Sequence, residues 1–130
     1  MKISTKGRYA LTIMINIGKN YESDKYISLK DIAEKENMSL KYLEKIMINL
    51  KKADFVISSK GKDGGYKLKR KPNEYSIGEI IRAAEEDLSV VSCINKKCPK
   101  ESKCGTYSLW KGLSDEINEY LNSKNLGQYL

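Results

Sequence analysis

No histidine occurs anywhere in this chain. Its absence excludes Ser–His and Cys–His nucleophilic pairs, and zinc sites built on imidazole. Cysteine is scarce as well: the three thiols are odd in number and too few for a disulfide framework. No segment approaches the roughly 20 apolar residues of a membrane span. The start, Met1-Lys2-Ile3-Ser4-Thr5-Lys6, turns polar before a signal core could form. These absences predict a cytoplasmic protein with reduced thiols and no membrane contact. Gly61 to Gly65 lacks the strand–helix setting of a phosphate-binding loop, so the expectation is a protein that is not an enzyme.

What is present is positive charge. The 130 residues carry 24 Lys and Arg against 17 Asp and Glu, a formal net charge of +7. Between Lys51 and Lys71 stand Lys51, Lys52, Lys60, Lys62, Lys67, Lys69, Arg70 and Lys71, opposed only by Asp54 and Asp63. Charge concentrated in one segment points to a polyanion-binding surface more than to general solubility. A chain of this size buries a limited fraction of its surface, so a second copy is an expected way to cover leftover apolar area.

Hydrophobic periodicity places the elements. Ala10, Ile13, Met14 and Ile17 recur at helical spacing, predicting a first helix over roughly Thr5 to Lys19 with Ser4 or Thr5 as its cap. Ser28-Leu29-Lys30-Asp31 opens a short helix with Leu29, Ile32 and Ala33 inward, broken at Glu36-Asn37-Met38. Ser39 caps a second helix with the apolar stripe Leu40, Leu43, Ile46, Met47 and Leu50, leaving Lys41, Tyr42, Glu44 and Lys45 outward. That is a helix–turn–helix pattern. Phe55 to Ser59, a turn over Lys60 to Gly65, and Tyr66 to Lys69 read as a hairpin, and a hairpin in that place is a wing. Ser76-Ile77-Gly78-Glu79 is a capping box leading a helix through about Asp87. A last helix from about Thr106 to Asn122 carries Leu109, Trp110, Leu113, Ile117, Tyr120 and Leu121 on one stripe, read as a dimer surface.

The expected fold is thus mainly α with a small β-hairpin. Residues 1–75 form a winged helix–turn–helix DNA-binding domain, and 76–130 hold a sensor loop (93–104) and dimerisation helices. A homodimer would set two recognition helices in successive major grooves of a palindromic operator on double-stranded DNA. Candidate contacts are Ser39, Lys41, Tyr42, Glu44 and Lys45 on the recognition helix, Lys60 and Lys62 at the wing tip, and Lys6 and Arg8 at the first helix. Glu44 could accept from a cytosine amino group while repelling phosphates, or act as a surface partner for nearby lysines.

The three thiols lie close together at Cys93, Cys98 and Cys104. Residue chemistry leaves three readings open. Thiolates suit an iron–sulfur cluster, which takes four protein ligands where this loop offers three. Zinc accepts three sulfurs plus an oxygen or water, although the spacings are wider than a zinc knuckle. Without metal, Lys96, Lys97, Lys100 and Lys103 would lower the thiol pKa values and favour a redox switch. A small iron–sulfur electron carrier is the alternative outside DNA binding; it has no need of the wing's lysines.

Four motifs in order, Lys2-Ile3-Ser4-Thr5-Lys6-Gly7-Arg8-Tyr9-Ala10-Leu11, Ser39-Leu40-Lys41-Tyr42-Leu43-Glu44, Gly64-Gly65-Tyr66-Lys67-Leu68 and Ser76-Ile77-Gly78-Glu79-Ile80-Ile81, resemble the Rrf-two family of bacterial winged-helix regulators. Cys104-Gly105-Thr106-Tyr107-Ser108-Leu109-Trp110 is most similar to its iron–sulfur cluster regulator (IscR-like) branch. The resemblance implies a homodimer joined through the C-terminal helix. It further implies a 2Fe-2S cluster on Cys93, Cys98 and Cys104, and a repressor or other regulator of iron–sulfur assembly or cysteine metabolism genes. That branch has a histidine where this chain has Tyr107, so the fourth ligand falls to Tyr107, Glu101, a group from the other subunit, or an exogenous thiol or water. Other members lack the cluster and act on sulfur-amino-acid metabolism through a partner enzyme, which makes a metabolic enzyme a further candidate partner. Lys41 and Lys45 are charged where the IscR-like branch commonly has smaller or amide residues, which leaves the operator sequence open.

Overall fold

A computed structural model describes residues 3–85, 88–91, 94 and 104–130. The elements in order are α1 (Thr5–Gly18), α2 (Leu29–Glu36), α3 (Leu40–Lys52), β1 (Val56–Ser59), β2 (Gly65–Leu68), α4 (Ile77–Ala84) and α5 (Tyr107–Ser123). Short 3-10 turns at Pro72–Glu74 and Leu126–Tyr129 follow β2 and α5.

Local chemistry sets most of the boundaries. Ser28 Oγ accepts from the Asp31 backbone N–H at 3.1 Å to start α2, and Asn37 ends it in a left-handed conformation with φ of 54°, which asparagine tolerates. Ser39 Oγ accepts from Tyr42 N–H at 3.4 Å at the start of α3. The Ser76–Glu79 capping box begins α4, with Glu79 N–H bonded to Ser76 Oγ at 3.0 Å. Sequence periodicity carried this helix to about Asp87. It ends at Ala84, where Glu85 turns to extended backbone, and Asp87 lies outside the described residues.

Beyond that stop, Glu85 serves a different element of the fold. Ser4 stands at the cap position of α1 but its hydroxyl makes no capping bond. In a capping box the third helical residue returns a carboxylate to the cap's own N–H. Here that residue is Gly7, which has no side chain, and the carboxylate of Glu85 accepts from Ser4 N–H instead. A Cβ on Gly7 would lie 2.6 Å from Glu85 Oε1, so the glycine makes room for a cap delivered from α4.

The main core joins α1, α2, α3, the hairpin, α4 and the C-terminal turn. Ala10, Ile13, Met14, Leu43, Leu50, Tyr75, Ile80 and Leu126 are fully buried in it. Asn16 is buried as well; its amide donates to Thr12 O at 2.8 Å and to Glu36 Oε1 at 3.0 Å, tying α1 to α2. The Tyr75 hydroxyl donates to Phe55 O at 2.6 Å and accepts from Lys69 N–H at 3.1 Å and Arg70 N–H at 3.0 Å. Burial pushes this phenol above its ordinary pKa. A smaller cluster, Ile77, Ile81 and Leu88 with Leu121 packed on it, seats α5 against α4.

Within the hairpin the register pairs Val56 with Leu68 and Ser59 with Gly65, antiparallel. Tyr66 also bonds both ways with Ile27 at 2.8 Å, anchoring the wing's inner strand to the segment before α2. Gly65, at φ of +147°, makes this close approach feasible, because a Cβ there would meet Ile27 O at 2.4 Å.

Candidate nucleic-acid interface and cysteine segment

The two helices α2 and α3, joined by the Asn37–Ser39 turn and followed by the hairpin, form a winged helix–turn–helix. Leu43, Ile46, Met47 and Leu50 hold α3 in the core at 2% exposure or less. Lys41, Glu44, Lys45, Lys51 and Lys52 are exposed on its other side, and none of them is in an ion pair among the described residues.

Two residues of this helix depart from the periodicity reading. Leu40, assigned to the buried stripe, is 37% exposed, because it is the first helical residue and lies ahead of the turn that reaches the core. Tyr42, expected outward, is half-buried; its ring stands edge-on to Tyr9 of α1 with centroids 5.3 Å apart. The pair fixes α3 against α1.

The basic segment also reorganises. Lys67 bonds Asp24 at 2.7 Å, Lys69 pairs with Asp54, and Arg70 meets Glu79 at 2.5 Å. Arg70 further lies 4.2 Å from the centroid of the Tyr75 ring. The Asp24 bond raises the Lys67 pKa and the Glu79 bond raises that of Arg70. These three cations brace the wing's inner strand, so they are not counted toward a binding surface. Asp24 and Glu79 lie outside the segment, and linear charge counting misses them. Lys51, Lys52, Lys60, Lys62 and Lys71 remain exposed and outside any ion pair among the described residues. Lys60 and Lys62 flank Gly61 at the wing tip.

At the start of α1, Lys6 and Arg8 are exposed, and the Arg8 guanidinium donates to Thr5 Oγ1 at 3.3 Å. A groove of about 780 Å³ opens between this helix start, α3 and the end of α4. Asn49, Arg82 and Glu85 line it, and none of the three stood out in the sequence. Arg82 reaches across to α5, donating to Asn122 Oδ1 at 2.6 Å and Asn118 Oδ1 at 3.3 Å. One end of α4 therefore contacts both the first helix and α5. An Arg opposite an Asn-x-x-x-Asn pair was the available signal, but only a fold brings residues 36 and 40 positions apart together.

Cys104 is exposed just ahead of α5, its Sγ 3.4 Å from Thr106 Oγ1. Tyr107, the first residue of α5, is half-buried. Cys93, Cys98 and Glu101 lie outside the described residues, and among the described ones no group of three or more Cys, Asp or Glu gathers into a metal-binding cluster. Along α5 only Ser114 is buried, while Leu109 and Tyr120 are 61% and 60% exposed. No helix among the described residues is long and apolar enough to cross a membrane.

Residues 3–130 match Rrf2, described as an iron-dependent transcriptional regulator. The chain belongs to the Rrf2 family. This Rrf2 protein is 37% identical to the HTH-type transcriptional regulator IscR of Aliivibrio salmonicida, over all of its own length and 77% of that relative's. It is 38% identical to IscR of Cronobacter sakazakii over 98% of this chain and 79% of that one. Among solved structures it resembles CymR, the global cysteine regulator of B. subtilis, with a TM-score of 0.80 and 38% identity across 98% of this chain and 94% of that one. IscR of T. potens gives 0.79 and 34% over 98% and 84%. The mostly helical fold with one hairpin is that of these regulators, and DNA binding in the service of transcription is the family's activity.

Proposed function

We propose that this Rrf2 protein is a homodimeric operator-binding regulator whose hold on DNA is set by a 2Fe-2S cluster ligated by Cys93, Cys98 and Cys104. The observation that carries the reading is where the thiols fall. They lie on the chain between α4, whose end caps α1 and binds α5, and α5 itself. Metal ligation in that stretch bears directly on the helix junction that positions the DNA-reading elements. The donor set fits the group: three thiolates are soft ligands suited to a two-iron cluster, and Cys104 is accessible at the head of α5. Tyr107, Glu101 or an exogenous group would complete the set. When bound, the cluster supplies redox- and iron-responsive ligation.

DNA is held by Lys41 and Lys45 with Ser39 on α3, by Lys60 and Lys62 on the wing, and by Lys6 and Arg8 at α1; Tyr42 steadies α3 from the side. Glu44 selects against wrong bases. The second copy covers the exposed α5 stripe.

The test is anaerobic purification, with iron and sulfide analysis, a visible spectrum, and operator binding before and after chelation. About two irons per chain and a changed operator affinity on cluster loss support the reading. A colourless protein, or an affinity indifferent to the cluster, rejects it. A second reading is favoured by the likeness to CymR, the global cysteine regulator of B. subtilis, and by tyrosine at position 107: a cluster-free regulator controlled by thiol state or by a metabolic enzyme.

A further inference from the structure

Leu40 lacks a place in the core, and its surroundings say what it meets. The buried side of α3 is complete without it, since Leu43, Ile46, Met47 and Leu50 are all sealed. Leu40 is instead the first residue of the helix, and its exposed neighbours Lys41, Glu44 and Lys45 are all charged. In helix–turn–helix proteins the first residues of the second helix are those that meet base edges in the major groove. Lysines on the same helix neutralise the flanking phosphates and bring that turn in. A leucine held there would strip water from polar base edges without replacing their hydrogen bonds, except at one feature: the C5 methyl of thymine is the apolar group the major groove offers.

We propose that Leu40 is a specificity-determining residue that reads a thymine methyl. This rests on the operator-binding reading above. Glu44 follows one turn later on the same stripe, about 6 Å along the helix axis. The thymine read by Leu40 therefore lies within about two base pairs of the cytosine from which Glu44 accepts, at a rise of about 3.4 Å per base pair. Ile48, also on that stripe and 54% exposed, is about 12 Å from Leu40, beyond the turn that enters the groove. It serves as an equally apolar comparator.

The test uses the full-length protein and a duplex that it selects itself from a random pool under reducing, anaerobic conditions. Each thymine of the half-site is replaced symmetrically by deoxyuridine, which removes the methyl and nothing else, and binding is read by fluorescence anisotropy. One replacement weakens the native protein about fourfold per half-site, the worth of one buried methyl. Leu40→Ala binds the thymine duplex more weakly by a similar factor and is indifferent to that replacement. Leu40→Met keeps most of the discrimination, and Ile48→Ala keeps all of it. A selected half-site without thymine, a native protein indifferent at every thymine, or a Leu40→Ala protein that retains the full penalty overturns the assignment while leaving operator binding intact. Failure to enrich any duplex overturns operator binding and this assignment with it.

Discussion

Helices α3 and α5 carry similar apolar stripes, yet the structure treats them differently. The stripe of α3 disappears between α1, α2 and the hairpin, with Leu43 and Leu50 at 0% exposure. That of α5 divides: Leu121, expected on the dimer surface, packs on Ile77, Ile81 and Leu88 of the same chain, while Leu109, Leu113 and Tyr120 lie open on one face at 61%, 41% and 60% exposure. Periodicity reports that a helix has an apolar face and says nothing of whether its partner is the same chain. A face of this kind left open on a small domain points to a second molecule.

Truncating Leu50 to Ala attacks the closed side of this comparison and has the largest expected effect. It removes about 3 kcal/mol of stability, read from the urea midpoint, whereas Leu113→Ala leaves the unfolding of an isolated subunit nearly unchanged. Leu109→Asp attacks the open side. It weakens self-association about thirtyfold, roughly 2 kcal/mol, so light scattering places the monomer–dimer midpoint at a correspondingly higher concentration while the far-ultraviolet dichroism stays native. A midpoint unchanged from the native protein would break the comparison.

Tyr75→Phe probes the closed region at its polar seam. Backbone groups at Phe55, Lys69 and Arg70 lose their bonds to the phenol, at a cost of about 1.5 kcal/mol, while Lys69 N–H keeps its 3.2 Å bond to Phe55 O. Its pH dependence has a definite sign. Burial raises the phenol's pKa in the folded state, so the contribution is whole below the ordinary value and is lost as pH rises through the raised one. The stability of the native protein falls above about pH 10, and that alkaline decline is shallower in Tyr75→Phe. Smallest is Glu85→Ala, which uncaps α1 and lowers the melting temperature by the equivalent of about 1 kcal/mol.

The winged fold was legible because local signals agreed with it. Serine caps at Ser28, Ser39 and Ser76, the break at Asn37 and the switch to period two after Asp54 all mark true boundaries. Failures arose where a distant residue decided the outcome. Leu40 fits the helical period but sits one turn short of the core, and the end of α4 is claimed by Ser4, 81 positions away. The excess of lysine after Lys51 is partly cancelled by Asp24 and Glu79, which only the folded chain brings near. Cys93, Cys98 and Cys104 remain the plainest functional signal, and two of them lie outside the described residues.

The cap that Glu85 delivers over Gly7 has a consequence for descent. Two positions 78 apart in the sequence now share one task, so a change at either is felt at the other. A side chain at position 7 would push the carboxylate off the Ser4 N–H, and loss of the acid at 85 would leave the helix start bare. Among relatives, glycine at the first position and an acid at the second should be inherited together. A lineage that places Glu at position 7 would close its own capping box, and position 85 would then be free to drift.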